Sequence, residues 1–343
     1  MRQTAINIYP DRSTDPTYNL AWEEYLFEHL AESETVFLLW QNTPTVVIGR
    51  HQNAVAEVNQ TVLEKYGISL VRRNSGGGAV YHDGGNLNYT ILTADDAKRQ
   101  TADAFSPFTE VVIRALKRLG VTAENGGRND ILINGRKISG NAQYRKRNRI
   151  LHHGTILFDS DLMRLTEVLA VSPLKYRSAA TPSVRSRVAN VTEFLDTKID
   201  VNEFKTLILD ELKSTNDVSV KEIDGLALSE IARLQHEKYR SDDWTFGHSP
   251  PFGVEGIVRK FDWGLLDIRL SVRKNRIESI AFFGDFFVME PVETLTEKFV
   301  GLPFNRSEIE KMIDAESIRA IFPELTKSEL LEMLTESSLQ DYV

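Results

Sequence analysis

A chain of 343 residues with 41% hydrophobic and 26% charged residues is long enough for two domains and has ordinary globular composition, which excludes a disordered chain. Its 41 Lys and Arg against 49 Asp and Glu leave a formal charge of −8, which argues against general nucleic-acid binding and leaves only local basic clusters to explain. There is no cysteine, which removes disulfides, thiolate metal sites and every cysteine nucleophile.

No apolar run approaches the roughly 20 residues that span a bilayer. The opening MRQTAINIYPDRSTD lacks the apolar stretch of a signal peptide. The expectation is a cytoplasmic protein with no membrane partner. In DPTYNLAWEEYLFEHLAES, Asp15 is a plausible N-cap and Pro16 a first helical residue, with Leu20, Leu26, Phe27 and Leu30 near one face. A helix is expected there. TVFLLWQ and TPTVVIGR read as strands, and AEVNQTVLEKYG as one helix ended by Gly67. ISLVRR, AVYH and LNYTILT are strands on either side of a glycine loop. Residues 103 to 119 have apolar positions at helical spacing up to Gly120. In DILINGRKISG the Asn134-Gly135 pair joins two strand-like runs as a hairpin, and RILHHGTILFD is one more strand.

These elements mix without strict alternation over the first 190 residues, which predicts an α+β domain around one sheet. Residues 226 to 240 read as a helix, and SDDWTFGHSPPF after it is dense in Pro, Gly and aromatics, as a domain junction is. Beyond it Leu266, Ile268, Leu270 and Val272 alternate with Asp267, Arg269, Ser271 and Arg273, and a helix-rich tail completes a smaller domain. The boundary is placed near residue 247, giving domains over 1–247 and 248–343.

The chemistry-bearing stretch is RRNSGGGAVYHDGGNLN, residues 72 to 88. Three consecutive glycines are entropically unfavourable in a folded chain unless backbone must turn sharply or approach something closely. Arg72 and Arg73 precede them and Ser75 sits among them, a combination of guanidinium, hydroxyl and amide donors that suits an anion such as phosphate. The spacing is neither a P-loop nor a dinucleotide fingerprint.

These residues, with GRNDILINGRKISGNAQYRKRNRILHHGTILFD, SVRSRVANVTEF and YRSDDWTFGHSPPF, resemble the motifs of the lipoate-protein ligases in order and spacing. The resemblance runs through most of residues 20 to 250, and bacterial members carry a second domain of about this size. It implies a biotin-ligase-like catalytic domain around a mixed sheet and a small α+β accessory domain. The implied activity makes lipoyl-AMP from lipoate and ATP with Mg²⁺, then passes the lipoyl group to a lysine of a lipoyl domain or of glycine-cleavage H protein. The loop from Arg73 through Ser75, Gly76, Gly77, Gly78, Ala79, Val80 and Tyr81 is expected to wrap the adenylate and the lipoyl carbonyl.

By the same resemblance Arg73, Ser75, Gly78, Ala79, Val80, Tyr81, Asn86, Asp130 and Lys137 bind the nucleotide, and Arg73, Gly76, Gly77, Lys137 and His153 bind lipoate. Asp130 is the candidate magnesium ligand, since magnesium takes one or two carboxylates with phosphate oxygens and water. Lys137, two positions after the Asn134-Gly135 turn, is the expected catalytic residue. Arg136 should point to the opposite face. His152 and His153, a histidine pair without cysteine partners, are read as structural rather than zinc-binding, with His153 as a pocket wall. Asp83 is read either as a second phosphate-side carboxylate or as a turn residue. The run YRKRNR, residues 144 to 149, is read as a solvated basic turn or as a patch steering an acidic partner.

One departure stands out: where the family carries a Ser-Lys-Gly element this chain has Ser178-Ala179-Ala180, leaving Lys175 or Arg177 as substitutes. A biotin-protein ligase and a catalytically inactive lipoate-binding homologue are the rival readings. The transferases of the superfamily use a cysteine that this chain lacks.

Overall fold

The computed structural model describes residues 5–29, 34–95, 106–126, 129–169, 187–247, 256–273 and 275–335. Residues 178–180, Lys175 and Arg177 lie outside the described residues.

Fourteen strands are present among the described residues: β1 (Ala5–Ile8), β2 (Thr35–Trp40), β3 (Thr45–Ile48), β4 (Ser69–Arg72), β5 (Val80–His82), β6 (Asn86–Ala94), β7 (Glu124–Gly126), β8 (Asp130–Ile133), β9 (Arg136–Lys146), β10 (Arg149–Leu157), β11 (Asp217–Val220), β12 (Gly256–Phe261), β13 (Gly264–Arg273) and β14 (Arg276–Gly284). They form a mixed eight-stranded sheet in the order β11-β1-β2-β6-β10-β9-β8-β7 and two three-stranded sheets, β4-β3-β5 and β12-β13-β14. The class is α+β, as expected. The single sheet expected for the first 190 residues is two. β3 pairs in parallel with β4 and antiparallel with β5, so the segment between β4 and β5 must double back, and that segment is the glycine loop.

Helix α1 (Pro16–His29) begins where the sequence places it, with Thr17 N–H donating to Asp15 Oδ1 at 2.9 Å. It buries Leu20, Ala21, Trp22, Leu26 and Phe27 against β2 and β6. The helix expected over 56–67 is instead two short ones, Ala54–Glu57 and Gln60–Tyr66, because Asn53 and Asn59 each cap a new start and Val58 is extended between them. Gly67 ends the second at φ +61°, a conformation that favours glycine. A larger core packs helices Ser106–Arg118 and Val201–Thr215 on the other face of the big sheet, around Phe37, Tyr89, Ile131, Phe158 and Phe204.

The last sheet and the helices after it share a separate apolar core, formed entirely from residues 257 to 334. The alternation in β13 buries Leu266 and Ile268 as the pattern requires. Asp267, expected on the solvent face, is buried as well and is held by Arg269 Nε at 2.7 Å; burial raises its pKa from the usual carboxylate range.

Candidate functional site

The glycine loop and the β8–β9 hairpin face each other across one cleft with about 600 Å³ of open space, mouth included. Its floor is apolar, with Leu20, Trp40, Val47, Ala79, Val80 and Ala142. Arg73, His82, Asn88, Asn129, Lys137, Asn141, His153 and Thr155 give it polar walls. An apolar slot with a few convergent polar groups is the usual form of a small-molecule site.

Arg73 shapes one wall. It is 5% exposed and donates through Nε to Ser75 Oγ at 2.9 Å, through Nη1 to Val47 O at 3.0 Å, and through Nη2 to Gly76 O at 2.7 Å and Gly78 O at 2.8 Å. One planar fork thus sets the curvature of the loop. Burial pulls its pKa down to about 10, opposed by the Glu23 carboxylate, so it stays charged at neutral pH.

Arg72, grouped with Arg73 as an anion donor from the sequence, does not line the cleft. It is fully buried, with Nη1 donating to Gly49 O, Arg50 O and Gln52 O and Nη2 to Thr245 O. Burial also lowers its pKa to about 10. It ties the strand to the chain just before the second domain.

The room made by the glycines is occupied in part by that second domain. A Cβ on Gly76 would lie 2.4 Å from Phe286 O, and Gly77, at φ +86°, donates its N–H to the same oxygen at 3.2 Å. Gly284 N–H donates to His51 O at 3.0 Å, and the His51 and Phe286 rings stack at 5.1 Å.

The opposite wall comes from the hairpin. Asn134 (φ +51°) and Gly135 (φ +74°) are both left-handed, the geometry of a tight two-residue turn that Asn-Gly favours. Lys137 follows on β9 and lines the cleft. Its Nζ lies 2.8 Å from Asp130 Oδ1, and its side chain keeps 38% of its exposure. Arg136 points elsewhere and pairs with Glu193 at 2.7 Å.

His153, on β10, closes the cleft between the two walls. Its Nε2 is 2.6 Å from Ser75 Oγ and its Nδ1 is 3.0 and 3.1 Å from the two oxygens of Glu23 on α1. His152 faces the core, stacked on Phe108, and burial drives its pKa well below the usual imidazole value. Among the described residues no group of three or more His, Asp or Glu is placed to hold a metal ion.

The structure therefore brings Arg73, Gly77, Gly78, Ala79, Val80, Lys137 and His153 together on one cleft, with Asp130 bound to Lys137 behind it. Ser75, Gly76, Tyr81 and Asn86 do not line it. Ser75 lies behind the loop, Tyr81 belongs to a buried apolar cluster, and Asn86 is buried and donates to Asn88 Oδ1 at 2.9 Å. Asp83 caps turns, accepting from Gly85 N–H and Asp161 N–H. The basic run 144–149 is largely committed within the chain: Arg145 pairs with Asp95, Lys146 with Glu28, and Arg149 donates to Phe27 O and Glu28 O. The sequence marks Leu20 only as part of a helix face and does not mark Glu23, Trp40, Asn88 or Asn141; Glu23 and Trp40 give no local signal, because their partners His153 and Thr90 are distant in the chain.

The family described as "Lipoyl protein ligase A/B catalytic domain" matches residues 15–213, and "Bacterial lipoate protein ligase C-terminus" matches residues 249–334. The chain is 41% identical over 325 residues to lipoate-protein ligase LplJ of Bacillus subtilis (strain 168), covering 93% of this chain and 97% of that protein. The chain belongs to the lipoate-protein ligase family.

The ligase is also 39% identical over 322 residues to lipoate-protein ligase 1 of Staphylococcus aureus (strain Mu50), covering 94% and 97% of the two chains. Its fold resembles P. falciparum LipL1 crystallised with lipoate, at TM-score 0.75 and 22% identity over 98% of this chain and 99% of that one. A lipoate-protein ligase A bound with ATP aligns at TM-score 0.62 and 28% identity, covering 72% of the ligase and all of that chain. A bi-partite ligase from Thermoplasma acidophilum, described with its E2 lipoyl domain, aligns at TM-score 0.62 and 29% identity, covering 74% and 100%.

Proposed function

We propose that this ligase acts in two steps, forming lipoyl-AMP from lipoate and ATP and then acylating a lysine of a lipoyl domain or of glycine-cleavage H protein. The observation that carries the reading is the single cleft with an apolar floor, a charged lysine on one wall and a glycine-rich loop on the other. Relatives with a bound lipoate, a bound ATP and a partner lipoyl domain in their descriptions support it.

A carboxylate does not acylate an amine at neutral pH because its leaving group would be oxide. In the first step a lipoate carboxylate oxygen attacks the α-phosphorus of ATP, and the bond to the bridging oxygen breaks to release pyrophosphate. Lys137, a compact ammonium, leaves Asp130 to bridge the carboxylate and the α-phosphate, offsetting charge as it builds. In the second step the acceptor amine attacks the acyl carbon, the bond to the AMP oxygen breaks, and the proton the amine loses passes to the departing phosphate or to solvent. The apolar floor takes the acyl chain and excludes water from the anhydride.

Asp130 is the residue that would hold magnesium. A carboxylate just behind the cleft wall, held at 2.8 Å by Lys137 and freed when that lysine turns to the substrates, fits an ion that draws its remaining ligands from phosphates and water. Bound there, magnesium supplies charge neutralisation at the phosphate oxygens.

We place the domain boundary near residue 247 and the protein in the cytoplasm; among the described residues no helix is long and apolar enough to cross a membrane. The contact of Phe286 with Gly76 and Gly77, and of Gly284 with His51, supports a role for the second domain in closing the site during adenylation. Deleting it should impair adenylation more than transfer from supplied lipoyl-AMP, and equal loss in a folded deletion would sink that role.

The decisive experiment is mass spectrometry of purified lipoyl domains and H protein after incubation with lipoate, ATP and Mg²⁺. A lipoyl adduct with matching pyrophosphate release is expected. No adduct and no pyrophosphate would leave the inactive-homologue reading, and an adduct formed only in a parallel incubation with biotin in place of lipoate would leave the biotin-ligase reading.

A further inference from the structure

A buried polar chain links α1 to the glycine loop. Trp40 Nε1 donates to Thr90 Oγ1 at 2.9 Å, and Thr90 donates to Glu23 Oε1 at 2.6 Å. The Glu23 carboxylate faces His153 Nδ1, His153 Nε2 faces Ser75 Oγ, and Ser75 Oγ accepts from Arg73 Nε. Glu23 is 4% exposed, His153 8%, Ser75 0% and Arg73 5%.

The donors and acceptors close in only one economical way. A carboxylate only accepts, so the Nδ1 proton of His153 belongs to Glu23 and Nε2 presents its lone pair. Ser75 then donates to Nε2 at 2.6 Å, rather than to Gly76 O at 3.5 Å, which leaves its oxygen for the Arg73 N–H. Two buried charges, Glu23 and Arg73, are thereby connected through neutral groups, and each offsets the penalty of burying the other.

The order Ser, His, carboxylate is that of hydrolase triads, yet Ser75 is fully buried and off the cleft wall. It is no nucleophile. His153 is the member that reaches the cleft, and Arg73 holds the carbonyls of Gly76 and Gly78.

We infer that Glu23 is a positioning residue for adenylate formation: by selecting the Nδ1–H tautomer of His153 it fixes Ser75 and Arg73, and through them the shape of the glycine loop. This rests on the two-step reading above. Its consequence is specific, since an amide of the same size at position 23 offers its own N–H to Nδ1 and allows the proton to sit on Nε2. Ser75 would then accept from both His153 and Arg73, its own proton would be left with only the 3.5 Å contact to Gly76 O, and the loop would lose its single conformation.

The test is Glu23→Gln in the full chain. Side-chain ¹⁵N NMR, with the His153 signals assigned by their loss in His153→Asn, should show Nδ1 protonated and Nε2 bare in the wild type. In Glu23→Gln that pattern should be mixed or reversed. Pyrophosphate release at saturating lipoate and ATP should fall about 10- to 100-fold in kcat, short of the roughly 10⁴-fold seen where such a carboxylate orients a catalytic base. KM for lipoate should move less, because the apolar floor is untouched.

Ser75→Ala should lower kcat in the wild type but add little in the Glu23→Gln background, as two members of one chain do; alone, it tests the chain if Glu23→Gln does not fold. A wild-type His153 protonated on Nε2, wild-type kcat in Glu23→Gln or in Ser75→Ala, or full additivity overturns the inference. A wild type that releases no pyrophosphate overturns the two-step reading instead, and the tautomer measurement still decides this one.

Discussion

The two walls of the cleft are built on different principles. On the glycine-loop wall every named hydrogen bond of Arg73 is spent on the protein itself: Ser75, Val47, Gly76 and Gly78. On the hairpin wall the Lys137 side chain has one partner among the described residues, Asp130 at 2.8 Å, with more than a third of its side chain exposed. The first wall is a scaffold held in shape by the protein's own hydrogen bonds. The second carries a charge that can exchange partners. Preorganised backbone and a mobile point charge are complementary ways to meet an anion, and replacing residues on the two walls should separate them.

Lys137→Ala makes the largest change in activity. It removes the only bridging cation proposed, so adenylation and transfer should both drop by at least roughly 100-fold. Stability should move little, within about 0.5 kcal/mol, because the side chain is partly exposed. Lys137→Arg should not restore the rate, since a planar fork is the wrong shape for a point-charge bridge. Near-normal lipoylation by Lys137→Ala would refute the assignment.

Arg73→Lys should invert the pattern. Lysine has three donors on one nitrogen and cannot reach Val47 O, Gly76 O and Gly78 O together. Each buried carbonyl left without a donor costs about 1–3 kcal/mol, so the melting temperature should fall by several degrees along with activity. If thermal unfolding of Arg73→Lys matches the wild type while adenylation is lost, Arg73 acts on the ligand rather than on the loop.

The contrast also explains what the sequence can and cannot disclose. The hairpin wall is local: Asn134, Gly135 and Lys137 are neighbours, and the turn chemistry of two residues places the third. The glycine loop announces itself through composition, but the side of the cleft on which Arg72 ends does not, because its carbonyl partners at Gly49, Gln52 and Thr245 are assembled by tertiary folding. Glu23 is the clearest case. It sits in an ordinary-looking helix 130 residues from His153, and no spacing rule connects them. The same holds for Asp267, whose place in an alternating strand marks it as exposed while its neighbour Arg269 lets it stay buried. The basic run at 144–149 is the solvated turn expected at Lys146, Arg147 and Asn148, but Arg145 and Lys146 meet Asp95, just after β6, and Glu28 of α1, partners that local sequence does not show. Periodicity reads which face an element buries; it does not read which buried polar atoms meet.

Octanoate probes the floor shared by both walls. Leu20, Trp40, Val47, Ala79, Val80 and Ala142 offer an acyl chain only apolar contact, and burial of each CH₂ gains roughly 0.8 kcal/mol whatever the chain's end group. Apolar sites reject related apolar ligands only modestly, so octanoyl transfer should occur with kcat/KM about tenfold below that for lipoate. Strict exclusion of octanoate would show that polar groups, not the floor, select the substrate.

The smallest effect concerns His82, a cleft-wall residue that belongs to neither mobile chemistry nor the loop. Asn42 Oδ1 accepts from Asn19 Nδ2 at 3.0 Å, which turns Asn42 Nδ2 toward His82 Nδ1, also at 3.0 Å. The imidazole therefore accepts at Nδ1 and is held neutral. Burial, with Arg73 and His153 adding to it, lowers its pKa to about 3. In the unfolded chain it titrates near 6.5, so between these values the unfolded state binds the extra proton and stability rises with pH. The contribution is complete above about pH 6.5 and is lost progressively as pH falls toward 3. His152, shifted in the same direction by burial, adds to the slope. Urea unfolding at pH 7 and pH 4.5 should show His82→Gln losing less stability on acidification than the wild type, even though it starts lower at pH 7. Equal losses in the two proteins would mean that His82 is protonated in the folded state and that the Asn19–Asn42 pair does not hold it neutral.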